Sequence, residues 1–155
     1  MSVSVGQAVP DFSAAATGDR TVCLPELRGH PVVLYFYPKD NTPGCTAEGQ
    51  QFRDLHERFA ALNAAVFGVS RDSLRSHENF RAKYGFPFPL LADVDETLCR
   101  LFDVIKLKRN YGKEALGVER STFLIDADGV LRREWRKVKI DGHAAEVLAA
   151  VEALG

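Results

Sequence analysis

Val32-Val33-Leu34-Tyr35-Phe36-Tyr37 is an unbroken run of β-branched, aliphatic and aromatic residues, closed by Pro31 on one side and Pro38 on the other. A run without polar alternation suits a strand covered on both faces, as at the centre of an α/β sheet. The chain then turns through Asn41-Thr42-Pro43-Gly44, reaches Cys45, and enters a stretch where Phe52, Leu55, Phe59 and Leu62 share one stripe. Their steps of three, four and three residues follow the 3.6-residue period and predict an amphipathic helix packed on that strand.

Working outward, Ala65-Val66-Phe67-Gly68-Val69-Ser70 reads as a second buried strand. Leu74, His77, Phe80, Arg81 and Tyr84 lie on one face of a following helix, which Gly85 ends as a left-handed cap. Pro87 and Pro89 frame a short extended piece ending in Leu90-Leu91, and Asp95 is expected as N-cap of a helix carrying Leu98, Leu101 and Phe102. Residues 121–126 form a strand. The turn Asp126-Ala127-Asp128-Gly129 pairs it with residues 130–135 as a β-hairpin. A last helix carries Val147, Leu148, Val151 and Leu154. This order of elements predicts an α/β sandwich with a mixed central sheet flanked by helices.

The 155 residues, 46% hydrophobic and 26% charged, suit one soluble domain spanning 1–155 with a core of its own. Twenty basic residues against 21 acidic ones leave a formal charge of -1, which gives no broad electrostatic reason to bind nucleic acid or an anionic membrane. No apolar run approaches the roughly 18 residues that read as a membrane span. The first residues lack the basic and apolar segments of a secretory signal, so a cytoplasmic location is expected. Three cysteines, Cys23, Cys45 and Cys99, are an odd and scattered set, which argues against a disulfide scaffold. No Cys-x-x-Cys is present, because Glu48 stands three positions after Cys45. His30, His56, His77 and His143 are not spaced as metal ligands and are expected at the surface or rim. Neither a metal nor a cofactor is expected.

Cys45 arrives in the first turn of a helix, just after a buried strand. Unpaired N–H groups and the positive end of the helix dipole favour an anion there, so its thiol is expected to ionise below the free value of about 8.5. From position alone, a buried cysteine serving as a small hydrophobe is an equal alternative.

Pro38-x-x-x-Thr42-x-x-Cys45 resembles the signature of the peroxiredoxins. The wider string from Tyr35-Phe36-Tyr37-Pro38 through Pro43-Gly44-Cys45-Thr46 is similar to their bacterioferritin comigratory protein, or peroxiredoxin Q, branch. Gly117-Val118-Glu119-Arg120-Ser121-Thr122-Phe123-Leu124-Ile125-Asp126 resembles the family segment that supplies an active-site arginine, here Arg120. The likeness extends to Gly6-Gln7-Ala8-Val9-Pro10-Asp11-Phe12 and the Asp126-Ala127-Asp128-Gly129 turn. It implies a thioredoxin-like fold with an N-terminal peroxiredoxin extension, as monomer or homodimer. The implied activity is a thiol-specific peroxidase in antioxidant defence. It would reduce hydrogen peroxide and organic hydroperoxides to water and alcohols through a Cys45 sulfenic acid, re-reduced by thioredoxin, glutaredoxin or a small thiol.

Chemistry gives each implied residue a reason. Cys45 as thiolate attacks the terminal peroxide oxygen. Lowering the pKa alone weakens the nucleophile, so the site must also stabilise charge on the leaving oxygen. Arg120, a fixed fork of donors, can hold sulfur and peroxide oxygens together. The Thr42 hydroxyl can bond the peroxide, and Pro38 covers the thiolate. Glu48, one helical turn on, would orient the arginine. Phe36, Tyr37, Phe86 and Phe88 are candidates for an aromatic site entrance.

The family pattern breaks at reduction of the sulfenic acid. The usual positions of a resolving cysteine hold Gln50 and Arg81. Cys99 and Cys23 remain, but a disulfide needs Cα atoms within about 7 Å, so either would require local unfolding around Cys45. The expectation is a one-cysteine cycle completed by an external thiol, with Cys99 as the alternative resolving residue. A thiol–disulfide oxidoreductase lacks its second nearby cysteine here, and a mere redox sensor would not need Thr42 and Arg120.

Overall fold

In the computed structural model, which describes residues 2–110 and 112–154, the apolar run is a central strand because both of its faces have a layer to cover. The chain opens with β1 (Ser13–Ala16) and β2 (Arg20–Cys23), followed by one 3-10 turn at Leu24–Leu27. β3 (Val32–Phe36) leads to α1 (Pro43–Asp54) and α2 (His56–Ala61). β4 (Ala65–Ser70), α3 (Leu74–Tyr84), β5 (Leu90–Ala92) and α4 (Thr97–Leu101) follow. A separate hairpin of β6 (Ile105–Asn110) and β7 (Lys113–Val118) precedes β8 (Ser121–Ile125), β9 (Leu131–Trp135) and α5 (His143–Ala153).

Seven strands form the main sheet in the order β2-β1-β5-β4-β3-β8-β9. β3 pairs parallel with β4 and antiparallel with β8, so the expected mixed α/β sheet is observed. Alternation along β3 splits the core in two. Val32, Leu34 and Phe36 pack with Phe102, Phe123, Leu98 and Cys99 on one face. Val33, Tyr35 and Tyr37 pack with Phe52, Phe59, Phe80, Val147 and Cys45 on the other. Tyr35 stacks on Phe52 with centroids 4.6 Å apart, fixing α1 over the sheet. Each fully buried ring of this kind contributes on the order of 1.5–3 kcal/mol relative to exposure.

Three local readings change. The stripe from Phe52 to Leu62 belongs to two helices, because the chain bends at Leu55 (φ -100°, ψ 3°) between α1 and α2. Phe52 and Phe59 are nevertheless both fully buried. Asp95 is not the cap of α4; Glu96 takes that position with φ 64°. The Asp93 carboxylate instead accepts from Leu98 N at 2.9 Å and Cys99 N at 2.8 Å, satisfying two first-turn donors. Finally, the β1–β2 pair and the β6–β7 hairpin carry no sequence signal of comparable strength. In the hairpin, charged residues interrupt the alternation, and Leu107 and Leu116, which pair across it, are exposed.

Gly49 lets α1 lie against the aromatic cluster. A methyl added there would meet Phe86 Cζ at 2.5 Å, and Phe86 is held by stacking on Phe88 and by the edge of Phe80. Although alanine is the better helix former, Gly49→Ala should lower stability by about 1–3 kcal/mol through overpacking. Denaturant unfolding of the two proteins measures this directly.

Candidate active site

Antiparallel pairing decides where the site lies. Phe36 at the end of β3 faces Ser121 at the start of β8, so Arg120 arrives beside the strand end from which Pro38 and the α1 turn depart. Thr42 is the cap residue of α1 with extended backbone (φ -88°, ψ 155°), and Pro43 opens the helix. Cys45 is therefore the third helical residue. The Thr42 hydroxyl makes no cap bond and donates to Lys39 O at 2.9 Å, so it leaves the first-turn N–H groups of α1 free for an anion. Pro38 is half-buried at the head of this loop.

Cys45, Glu48 and Arg120 form one hydrogen-bonded cluster. Arg120 donates from Nη2 to Cys45 Sγ at 3.4 Å and from Nη1 to Glu48 Oε1 at 2.7 Å. The sulfur-bearing residue is only 2% exposed, and Glu48 is fully buried. Gly44 permits this approach, since a Cβ there would lie 3.2 Å from both Arg120 Nη2 and Ile140 Cδ1. Burial disfavours the guanidinium charge, but Glu48 and the Cys45 sulfur outweigh it and hold Arg120 firmly protonated. Burial pushes the Glu48 carboxyl up to about 7 against the pull of Arg120.

Several neighbours escaped the sequence reading. Val138 N donates to Arg120 O at 3.0 Å, which brings the 136–142 segment and Ile140 over the site. Lys108 donates to Val118 O, two residues before Arg120, and burial together with the Arg120 charge lowers its basicity. Asp40 is buried and accepts from Tyr37 at 2.6 Å and Ser76 at 2.8 Å, and it lies 2.7 Å from His77 Nδ1. His77 Nε2 faces Leu91 O at 2.9 Å, so each ring nitrogen meets an oxygen acceptor. With Asp40 N bonded to Asp72, these groups latch the loop of Pro38 and Thr42 to α3. The facing atoms of Asp40, Asp72 and His77 lie within 4.8 Å of one another. A cleft of about 420 Å³ lies beside the latch, lined by Asn41, Ser76, Asn79 and Lys83; it is distinct from the cysteine site.

The expectation that all four histidines sit at the surface or rim is wrong for two of them. His77 is fully buried and His143 is 4% exposed. Their polar sequence neighbourhood hid the partners, Asp40 and Thr122, that make burial tolerable. The aromatic entrance also fails: Phe36, Tyr37, Phe86 and Phe88 are all within 2% of complete burial and belong to the core.

The other two cysteines lie apart from Cys45. Cys99 packs on the opposite face of the sheet, and burial, reinforced by Asp93, pushes its thiol far up from its ordinary range. Cys23 is on the edge strand β2, four strand spacings or about 19 Å from β3. All three are free thiols.

The mixed sheet and the contact of a buried cysteine with an arginine at a helix start suit a thiol peroxidase. The chain belongs to the AhpC/TSA family, which it matches over residues 5–134. Within that family it falls in the Bcp, or peroxiredoxin Q, branch. It is 51% identical to peroxiredoxin Bcp of Bacillus subtilis, over 98% of this chain and 97% of that protein. A solved structure of Xanthomonas campestris peroxiredoxin Q superposes with a TM-score of 0.90 at 52% identity, covering 97% and 96% of the two chains. The X. campestris bacterioferritin comigratory protein, with alkyl peroxide reduction activity and trapped intermediate and ligand complexes, matches at 51% identity and the same TM-score. Serine replacements of two cysteines of the X. campestris protein, thirty-six positions apart, have also been solved. Among the described residues, no helix is long and apolar enough to cross a membrane.

Two buried groups set opposing pH dependences of stability. His143 is held neutral by burial, with its pKa lowered to about 4, so its contribution is complete above about 6.5 and lost as pH falls through 4. Glu48, raised to about 7, contributes fully below its ordinary 4.5 and loses that contribution as pH rises through 7. Each amounts to about 3 kcal/mol, and between pH 4.5 and 6.5 the two offset one another. His143→Gln should therefore make stability fall with rising pH in that window. Glu48→Gln should make it rise. Urea melts across the window read both slopes.

Proposed function

We propose that this chain works as a single domain in which Cys45 is the peroxidatic thiolate, oxidised by hydrogen peroxide or alkyl hydroperoxides and re-reduced by an external thiol. The observation that carries this reading is the Arg120 fork, with one nitrogen on Cys45 Sγ at 3.4 Å and the other on Glu48 at 2.7 Å. Sulfur at the start of α1 gains from the helix dipole and from the guanidinium, both of which favour its anion. On attack, the S–O bond forms and the O–O bond breaks. Negative charge then moves to the leaving oxygen, which Arg120 can meet with the N–H groups it already aims there. Thr42, whose hydroxyl rests on Lys39 O, can turn to the peroxide, while Pro38 and the buried setting limit water.

Where the remaining thiols sit bears on the type of cycle. Thirty-six positions after Cys45, the spacing of the two replaced cysteines in the X. campestris protein, this chain has Arg81 on α3. Cys99 is separated from Cys45 by the sheet itself, and Cys23 lies on β2, four strand spacings from β3. A disulfide to either would require the fold to come apart well beyond the loop. These distances support a one-cysteine cycle, with thioredoxin, glutaredoxin or a small thiol as reductant. Three free thiols suit the reducing cytosol that would supply it.

Peroxide consumption with a small thiol and with a thioredoxin system tests the assignment. Cys45→Ser should abolish turnover, Cys99→Ser and Cys23→Ser should preserve it, and Arg120→Met should slow Cys45 oxidation by about 10²–10³-fold. A dominant Cys45–Cys99 peptide after one equivalent of peroxide, mapped without reduction, would overturn the one-cysteine cycle.

A further inference from the structure

Arg120 carries one positive charge and faces two acids. Its Nη2 meets Cys45 Sγ and its Nη1 meets Glu48 Oε1, and both acids are removed from solvent. The second carboxyl oxygen, Glu48 Oε2, is buried with no hydrogen-bond partner among the described residues. If thiolate and carboxylate were both ionised, the cluster would hold an uncompensated negative charge, part of it on an oxygen that no donor meets. Such a buried charge is normally removed by keeping a proton.

Among the described residues, no cation other than Arg120 is hydrogen-bonded to Cys45 or Glu48. Tyr35 on β3 has its hydroxyl buried and unpartnered, and burial, with Glu48 and Cys45 adding to it, keeps that hydroxyl protonated. His143 on α5 is neutral through burial. Asp40 in the loop is engaged by Tyr37, Ser76 and His77. Lys108 on β6 is directed to Val118 O rather than to either acid; burial and the Arg120 charge lower its basicity, while the Cys45 sulfur raises it.

We propose that Glu48 holds a proton while Cys45 is a thiolate and gives it up when the sulfur becomes a sulfenic acid, so that the carboxyl closes the charge balance of the peroxidatic step. This rests on the thiol peroxidase reading above. In that step the thiolate attacks the terminal oxygen of ROOH. The sulfur is oxidised by two electrons, and that oxygen keeps its hydrogen as the sulfenic hydroxyl. The leaving RO⁻ needs one proton to become ROH. The sulfenic acid is neutral, so Arg120 then faces a single acid, and Glu48 ionises and releases the proton the reaction consumes. On reduction, one external thiol converts the sulfenic acid to a mixed disulfide and water. A second expels Cys45 as thiolate and frees a proton, which returns to Glu48. The carboxyl, already raised to about 7 by burial, needs only this change in its partner's load to cross neutral pH. Glu48 touches Arg120 rather than the peroxide, so it acts as a positioning and charge-balancing residue.

Proton counting tests this. Reduced protein in weak buffer at about pH 6, below the raised carboxyl value, is mixed with one equivalent of hydrogen peroxide and a pH indicator. The wild type should take up far less than one proton per Cys45 oxidised, and Glu48→Gln should take up one. Infrared difference spectra of the wild type should lose a protonated-carboxyl band on oxidation. Labelling glutamate with carbon-13 assigns that band even if the variant fails to fold. Uptake of a full proton by the wild type, or no loss of a carboxyl band, overturns the proposal while leaving the peroxidase assignment intact. Failure of peroxide to oxidise Cys45 at all overturns both.

Discussion

The guanidinium of Arg120 is held between a sulfur and a carboxyl that come from one turn of α1, seventy-five and seventy-two residues away in sequence. Helix position alone favours an anion by roughly 0.3–1 kcal/mol, too little to decide the state of a buried thiol. A directly bonded cation is stronger, and removing one partner of a buried pair costs about 3–5 kcal/mol because the other charge is stranded. The β3–β8 register makes that contact possible: the strand bearing Arg120 starts where the strand leading to Cys45 ends. Gly44 then leaves room for the fork to reach the helix.

A second set of contacts keeps the loop between β3 and α1 in place. Asp40 gathers Tyr37, Ser76 and His77 around one buried carboxylate, and Asn41 accepts from Lys83 and Tyr84. These bonds join the Pro38–Thr42 segment to α3 from both ends of that helix. Buried polar networks specify a unique arrangement, and here both ring nitrogens of His77 lie against oxygens, Asp40 Oδ2 and Leu91 O. Such a latch suits a cycle in which the reductant comes to the site, because nothing in the loop then has to leave α3 to reach a second thiol.

The sheet also acts as a partition. Alternation along β3 sends Phe36 to the face that holds Cys99 and Tyr35 to the face that holds Cys45. Two thiols that are both core residues by composition are thus kept in separate compartments with different chemistry. One has a cation bonded to it. The other sits beside Asp93 in an environment that holds its proton.

What the sequence determined on its own were the features set by short-range patterns. The apolar run at 32–37, the helical stripes, the Gly85 cap and the Asp126–Gly129 turn each rest on residues close enough in the chain to dictate local conformation. The segment from Pro38 to Cys45, together with Arg120 and Glu48, was legible through its resemblance to the peroxiredoxins, and the structure brings Cys45, Glu48 and Arg120 into contact. Tertiary structure decided the burial of His77 and His143, the bend at Leu55, the cap from Asp93 and the approach of Ile140 and Lys108. It also decided which face of the sheet each cysteine occupies. For the polar groups among these the physical reason is shared. A polar side chain becomes tolerable inside only when a partner, often dozens of residues away, is delivered by strand pairing, and no local pattern of residues records that delivery.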